Sequence, residues 1–430
     1  MDAPNLTLKP SEAPKGAQSK LFEPLSIANG KMTLKHRVVH APLTRNRGVP
    51  LKESTPEDPN RIWVPDELVT EYYSQRTTDG GLLISEGIPP SLKSNGMPGV
   101  PGLFAPEHLK GWEKVVKAVH DKGGIFYAQL WHAGRTTVQQ LTGSPTVSAS
   151  VSPIEGDVYS HHPPPFSSTP VLYRDFPPEE LSEQGIKDTI GEFVAAAKMA
   201  LDAGFDGIEV HGGNGYLPEQ FLNDNINKRT DAYGGTPEKR CRFPLELMTA
   251  LAEAIGPEKC AIRLSPFGLF NQTRGTQRIE TWSYLCRELK RTIPNLSYIH
   301  FIEPRFEQFH SYAEKDEFIK SWGLAPDSIS LDLFREIMGD TPFFTAGGWN
   351  QDNSWGVIES GKYDAIAYGR HFLANPDFVE RLKDGKPMNK YDRSRFYGPF
   401  PDDREVGYTD YPYSSDMESC AEAASQRVEI

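Results

Sequence analysis

The stretch DGIEVHGGNGYLPEQFLN, residues 206–223, decides the fold. Its first half is a short apolar run that ends on His211, and glycines follow at once. Asn214 and Tyr216 sit among those glycines. A turn between two elements explains the glycines, but not a histidine, an asparagine and a tyrosine crowded into the same turn. His211 and Asn214, three residues apart, can converge as donors on one oxygen, and the Tyr216 phenol is suited to giving a proton to a carbanion. The plainer readings are a core histidine and a left-handed turn asparagine.

The same unit, an apolar run closed by a polar residue or a glycine, recurs along the chain. Candidate strands are RVVHAPLT (37–44), GLLISEG (81–87), GIFYAQLW (124–131), DGIEVHG (206–212), KCAIRLSP (259–266), LSYIHFIEP (296–304), TPFFTAGG (341–348) and YDAIAYGR (363–370). Helical patterns lie between them. In 182–203, Ile186, Ile190, Phe193, Val194, Ala197 and Leu201 recur every three to four residues before Gly204. In 237–255, Phe243, Leu247, Leu251 and Ile255 share a face behind a Thr236 cap and Pro237, and Pro244 predicts an irregular first half.

Eight strands with intervening helices predict an α/β fold, a (β/α)8 TIM barrel forming a single domain over residues 20–412. An open doubly wound sheet would carry a G-x-G-x-x-G turn, and GNGYLP fails at the last glycine. Thr44, Gly87, Gln129, His211, Arg263, Glu303, Gly347 and Gly369-Arg370 end the eight runs, on the face where barrel enzymes do their chemistry. The longest gap, between Gln129 and His211, holds residues 132–178 with the segment HHPPPFSSTP. That insertion after strand 3 reads as a lid or substrate loop. Residues 1–19 and 413–430 are polar and are expected to lack order.

The chain has 46 Lys and Arg against 58 Asp and Glu, a net charge of −12, which argues against nucleic acid as a partner. Its four cysteines form no CxxC pair, so neither a disulfide framework nor a metal cluster is expected. His132, His161 and His162 lack carboxylates at ligand spacing, and no metal is expected there. No apolar run reaches membrane-spanning length, and no signal peptide opens the chain. A cytoplasmic protein, monomer or homodimer, is the expectation.

Taken singly, each polar strand end has a bland reading. Thr44 and Gln129 would be satisfied core hydrogen-bonders, and the glycines of TAGGW and AYGRHF would be tight turns. Arg263 would be a structural ion pair with Glu303 or Glu86, since no adjacent acid offers itself. Together on one rim, they point to a large polar cofactor. Glycines after the last two strands, with Arg370, suit a phosphate.

HGGNGYLPEQFLNDNINKRTDAYGG (211–235) closely resembles the signature of the Old Yellow Enzyme family, the FMN-dependent ene-reductases. The resemblance extends through LFEPLSIANG (21–30), APLTRNR (41–47), AQLWHAGR (128–135), IRLSPFGLFN (262–271), AYGRHFLANPDFVERL (367–382) and NKYDRSRFY (389–397). It implies non-covalent FMN, with NADPH or NADH as reductant and an activated alkene as substrate. Pro42, Leu43, Thr44, Gly87 and Gln129 would meet the flavin ring, and Arg263 would stabilise negative charge at its N1/O2 edge. Gly347, Gly348, Gly369 and Arg370 would hold the phosphate. His211 and Asn214 would bind the substrate carbonyl, with Trp131, Phe270, Asn271 and Tyr397 lining the pocket. Hydride would pass from flavin N5 in a ping-pong cycle, with Tyr216 as proton donor. Thr44, where some relatives carry cysteine, resembles the yeast and plant type.

Departures are small. Gly212 and Gly213 stand where relatives often carry Ala or Ser, and Gly348 stands where yeast-like members carry Asn. Residues 132–178 and 305–318 do not align with the family, so substrate preference does not transfer. Three other readings stay open: a specialised biosynthetic enone or enal reductase or isomerase, an idle flavin-binding protein, and a flavin-free phosphate-binding barrel lyase.

Overall fold

The computed structural model describes residues 13–163, 167–304 and 311–415. Eight parallel strands close into a barrel: β1 Val38–His40, β2 Leu82–Ile88, β3 Ile125–Leu130, β4 Gly207–His211, β5 Cys260–Leu264, β6 Tyr298–Ile302, β7 Phe343–Ala346 and β8 Ala365–Tyr368. Each pairs with its neighbour in sequence, and β8 returns to β1 through Ile366 beside Val38. Every predicted strand core is present. Strand alternation divides each run between two apolar layers. Val39, Leu82, Ile84, Tyr127, Ala261, Tyr298, Phe344 and Ala365 fill the barrel. Val38, Leu83, Phe126, Ile208, Ile262, Ile299, Phe343 and Ile366 face the helices. Tyr298 stacks on Phe344 with centroids 4.3 Å apart, and a hairpin of Leu25–Ile27 with Met32–Leu34 plugs the N-terminal end through Ile27 and Leu34.

Helices follow the strands: α1 Glu67–Gln75, α2 Pro106–His120, α3 Glu183–Asp202, α4 Arg242–Ile255, α5 Arg278–Thr292, α6 Asp332–Met338, α7 Trp355–Glu359 and α8 Phe378–Asp384. The Ser182 hydroxyl caps α3 by accepting from the Gly185 N–H, and Ile186, Phe193, Ala197 and Ala200 form its buried face. The irregularity predicted around Pro244 takes a definite form. A short helix, Pro237–Arg240, capped by Thr236, stops at Cys241 and α4 starts afresh. Pro244 thereby falls in the first turn, where its missing N–H leaves no bond unmade.

The 132–178 insertion packs on the C-terminal rim around a small cluster of Val138, Leu141, Ile154 and Tyr173. Val147–Ser148 pairs in parallel with Glu179–Glu180, and Tyr159 bridges Leu172. Buried Arg135 ties the loop down, donating to the Ser152 carbonyl at 3.0 Å and the Asn271 carbonyl at 2.9 Å. Of the expected N-terminal tail, residues 16–18 form a helical turn and Ser19 donates to Glu359 at 2.8 Å. Residues 1–12 and 416–430, and 305–310 of the 305–318 segment, lie outside the described residues. Among the described residues, no helix is long and apolar enough to cross a membrane, and no His, Cys, Asp and Glu group could hold a metal ion.

Burial dictates a pH response. It lowers the pKa of His36 and His108 to about 4 and that of His40 and His132 to about 3, while it raises the Glu86 and Glu219 carboxyls to about 7. Below the ordinary histidine value of 6.5 the unfolded chain takes up protons that the folded chain refuses, so stability falls. The two carboxyls act oppositely, favouring the folded state between about 7 and their ordinary 4.5. The lowered histidines, His162 at about 4 among them, outnumber the two raised carboxyls, so the net effect below 6.5 is a loss of stability. The urea midpoint should therefore drop between pH 7 and pH 5; a constant or rising midpoint contradicts this balance.

Candidate active site

The barrel's C-terminal mouth is built by side chains that share the inward parity of β3, β4, β5 and β6. On β4, Glu209 and His211 point the same way, and strand pairing sets them beside Ala261 and Arg263 of β5. Sequence reasoning missed Glu209, although its place two residues before His211 puts it on the same face. Arg263 thus has a nearby acid after all: Glu209, not Glu303 or Glu86. Glu86 instead accepts from the Arg45 N–H, and Glu303 accepts from the Thr345 hydroxyl.

Glu209 is fully buried and accepts from the Gln129 amide nitrogen at 2.7 Å, with His300 Nδ1 at 2.9 Å from its other oxygen. Burial alone would raise its pKa; His300, Arg263 and Gln129 outweigh that and hold it low. His300 also went unnoticed in the sequence, for it lies mid-strand in an apolar run. Because Glu209 takes the Gln129 NH2 group, the Gln129 carbonyl oxygen is the end left to accept from a ligand.

His211 is buried, and its pKa falls well below the usual value because of burial first, then Arg263 and His300. It is a neutral imidazole. Its ring lies 4.9 Å from the Tyr216 ring, and the Trp131 ring meets Tyr216 edge-on at 5.3 Å. Burial raises the Tyr216 pKa, with Tyr397 and Tyr173 near enough to add to it, so the phenol stays protonated. Phe270 packs against this cluster, and the half-exposed Tyr397 stands at the mouth. Asn214 takes the left-handed conformation at φ 56°, and Asn271 donates to its carbonyl at 2.9 Å.

Gly212 and Gly213 have a packing reason beyond the turn. A Cβ on Gly212 would meet the Arg263 carbonyl at 3.0 Å, and one on Gly213 would meet the Ser265 hydroxyl at 2.9 Å. Chain leaving β4 presses directly on chain leaving β5, and a hydrogen bond of 2.8 Å from Gly212 to the Arg263 carbonyl closes the contact.

The remaining predicted residues border the same mouth. Pro42, Leu43 and Thr44 follow β1, and Leu43 Cδ2 lies 3.4 Å from where a Cβ on Gly369 would be. Gly87 faces Trp131 at a similarly close approach. Gly347 and Gly348 leave β7 with φ of 122° and 70°. Arg370 follows β8 and contacts the Tyr391 hydroxyl at 3.4 Å.

This donor set fits FMN. Arg263 Nε is buried with no hydrogen-bond partner among the described residues, at a mouth where a polar ring would satisfy it, and His211 Nδ1 and Trp131 Nε1 are buried without one beside it. His161, also unnoticed as a site group, reaches this mouth from the insertion, its ring 6.0 Å from Phe270.

Comparison with known proteins shows the family and the fold. The sequence profile of the NADH:flavin oxidoreductase / NADH oxidase family matches residues 20–389. Flavin oxidoreductase hxnT of Emericella nidulans is 44% identical over 400 residues, covering 92% of this chain and 97% of that protein. The 12-oxophytodienoate reductase 2 of Arabidopsis thaliana is 38% identical, covering 89% of this chain and 93% of that one. Among solved structures, morphinone reductase in complex with tetrahydroNAD superposes with a TM-score of 0.75 at 35% identity, covering 91% of this chain and 97% of that one. The Old Yellow Enzyme homologue from Zymomonas mobilis gives 0.76 at 30% identity, covering 91% and 99%. A flavin-free lyase is thereby set aside. The chain belongs to the NADH:flavin oxidoreductase / NADH oxidase family, the Old Yellow Enzymes, as an FMN-dependent (β/α)8 barrel oxidoreductase with NAD(P)H as reductant.

Proposed function

We propose that this enzyme reduces activated carbon–carbon double bonds, those of α,β-unsaturated aldehydes, ketones or nitroalkenes. The observation that carries the reading is the grouping of neutral His211, left-handed Asn214 and protonated Tyr216 at the end of one strand. FMN, when bound, would supply the hydride chemistry that links NAD(P)H to the alkene.

The chain's own residues do the rest. His211 and Asn214 donate to the substrate oxygen, and their bonds tighten as electron density moves onto it. Each such donor is worth about 2.7–4 kcal/mol at the transition state. A neutral imidazole serves this role by donating one N–H without carrying a charge into a site already occupied by Arg263. Tyr216 then gives its proton to the α-carbon, so hydride and proton together account for both hydrogens added across the double bond. A phenol held protonated by burial is available for this step throughout the neutral pH range. Trp131 packs edge-on against the Tyr216 ring, with centroids 5.3 Å apart. Gln129 and Arg263 would hold the flavin ring, with Arg263 countering negative charge that reduction places there.

Two outcomes test this reading. Tyr216→Phe should slow the oxidative half-reaction with 2-cyclohexenone in stopped-flow while NADPH still reduces the flavin at the parent rate. An unchanged oxidative half-reaction removes Tyr216 from the proton-donor role. Separately, His211→Ala and Asn214→Ala should each lower kcat/KM for the same enone by about 100-fold or more. If neither loses as much as about threefold, the substrate oxygen is held elsewhere.

A further inference from the structure

Asparagine tolerates a left-handed backbone, and at Asn214 the neighbouring groups tie that backbone in place. Two backbone N–H groups, those of Asn214 and Gly215, lead to one buried acid, the first through Ser265. The Asn214 N–H donates to the Ser265 hydroxyl at 2.7 Å. The Ser265 hydroxyl donates to Glu219 Oε2 at 3.0 Å, and the Gly215 N–H donates to the same oxygen at 2.6 Å. Glu219 and Ser265 are essentially inaccessible to solvent.

The polarity of this relay is set by the acid. A serine hydroxyl has a single hydrogen, and Glu219 takes it. The lone pairs of Ser265 are then the only face it can offer the Asn214 N–H. Neither bond to Glu219 caps the short helix Leu217–Leu222, whose N-cap is Tyr216, with the Tyr216 N–H donating to the Gly213 carbonyl. The bond from Ser265, on the chain leaving β5, joins the acid to Asn214 across two strand ends.

We propose that Glu219 is the positioning residue of the substrate-oxygen grip, acting through Ser265 and Gly215 to hold Asn214 in place. This rests on the reading that Asn214 binds the substrate oxygen. Glu219 touches neither substrate nor cofactor. Burial raises its carboxyl to about 7, partly offset by Gly215, Arg278, Ser265 and Asn223. The groups facing it are Arg278 from α5, the Ser265 hydroxyl after β5, Asn223 at the end of its own helix and the Gly215 N–H. Arg278 is the charged one, and it spends its own donors on the carbonyls of Pro266, Thr273 and Gly275. The carboxylate is the better acceptor, so the grip tightens as pH rises through the neutral range and slackens as Glu219 gains its proton.

The test is the dissociation constant of 2-cyclohexenone for the oxidised holoenzyme, read from the flavin absorbance change between pH 6 and pH 8.5. The parent enzyme should bind about tenfold more tightly at the alkaline end. Glu219→Gln should bind weakly at every pH and lose the dependence, Glu219→Asp should keep it, and Ser265→Ala should bind weakly throughout. A merely structural role would not move the pH profile. If Glu219→Gln fails to retain FMN, Ser265→Ala carries the test alone. Asn214→Ala separates the two levels of the argument. If it leaves enone binding intact, the reading of the site falls and this proposal with it. If it weakens binding while Ser265→Ala matches the parent, or Glu219→Gln keeps the parent's profile, the proposal alone is overturned.

Discussion

The register of β4 against β5 is the constraint on which the site depends. It sets His211 beside Arg263 and puts Glu209 on the same inward face, and the Gly212 to Arg263 hydrogen bond locks the end of the pairing. A slip of one residue in β4 would turn Glu209 and His211 out toward the helices and bring Ile208 and Val210 into the mouth. The same close approach forbids a side chain at Gly212 and Gly213 without movement of β5. The loop that carries Asn214 and Tyr216 therefore starts from a fixed point.

The upper barrel pays for its function in buried charge. Arg263, Glu209 and His300 occupy a layer that a barrel built for stability alone would fill with aromatic and aliphatic side chains, as Tyr298, Phe344 and Ala365 fill the layer below. Removing one partner of such a buried set typically costs about 3–5 kcal/mol, because the other is stranded. The arrangement leaves Arg263 charged and its Nε unspent, and it fixes which end of the Gln129 amide faces outward. Glu209 therefore shapes a flavin site that it does not itself enter.

Much of this was legible in the sequence for a local reason. A strand end announces itself by a polar residue or glycine closing an apolar run, so His211, Arg263, Gln129, the Gly347-Gly348 pair after β7 and Gly369 after β8 could be read directly. The α3 helix was equally plain, since its period and its Ser182 and Gly204 boundaries lie within one segment. The helix over 237–255 was read as one element, and only packing around Cys241 shows the break that makes Pro244 tolerable. What escaped was non-local. Ser265 and Glu219 are 46 residues apart, and no pattern within either segment signals that they meet. Glu209 and His300 are 91 apart and sit mid-strand, where parity alone could have shown them facing inward. The fold of the 132–178 insertion, with Arg135 as its anchor, likewise depends on contacts across the mouth.

The central claim is geometric, that one strand end and its loop grip a substrate oxygen and protonate the adjacent carbon. A crystal structure of the FMN-loaded enzyme with 2-cyclohexenone tests it most directly. The account predicts the carbonyl oxygen within hydrogen-bond distance of both His211 and Asn214, with the α-carbon facing the Tyr216 hydroxyl. A carbonyl bound instead at Tyr397, or an alkene lying away from Tyr216, would contradict it.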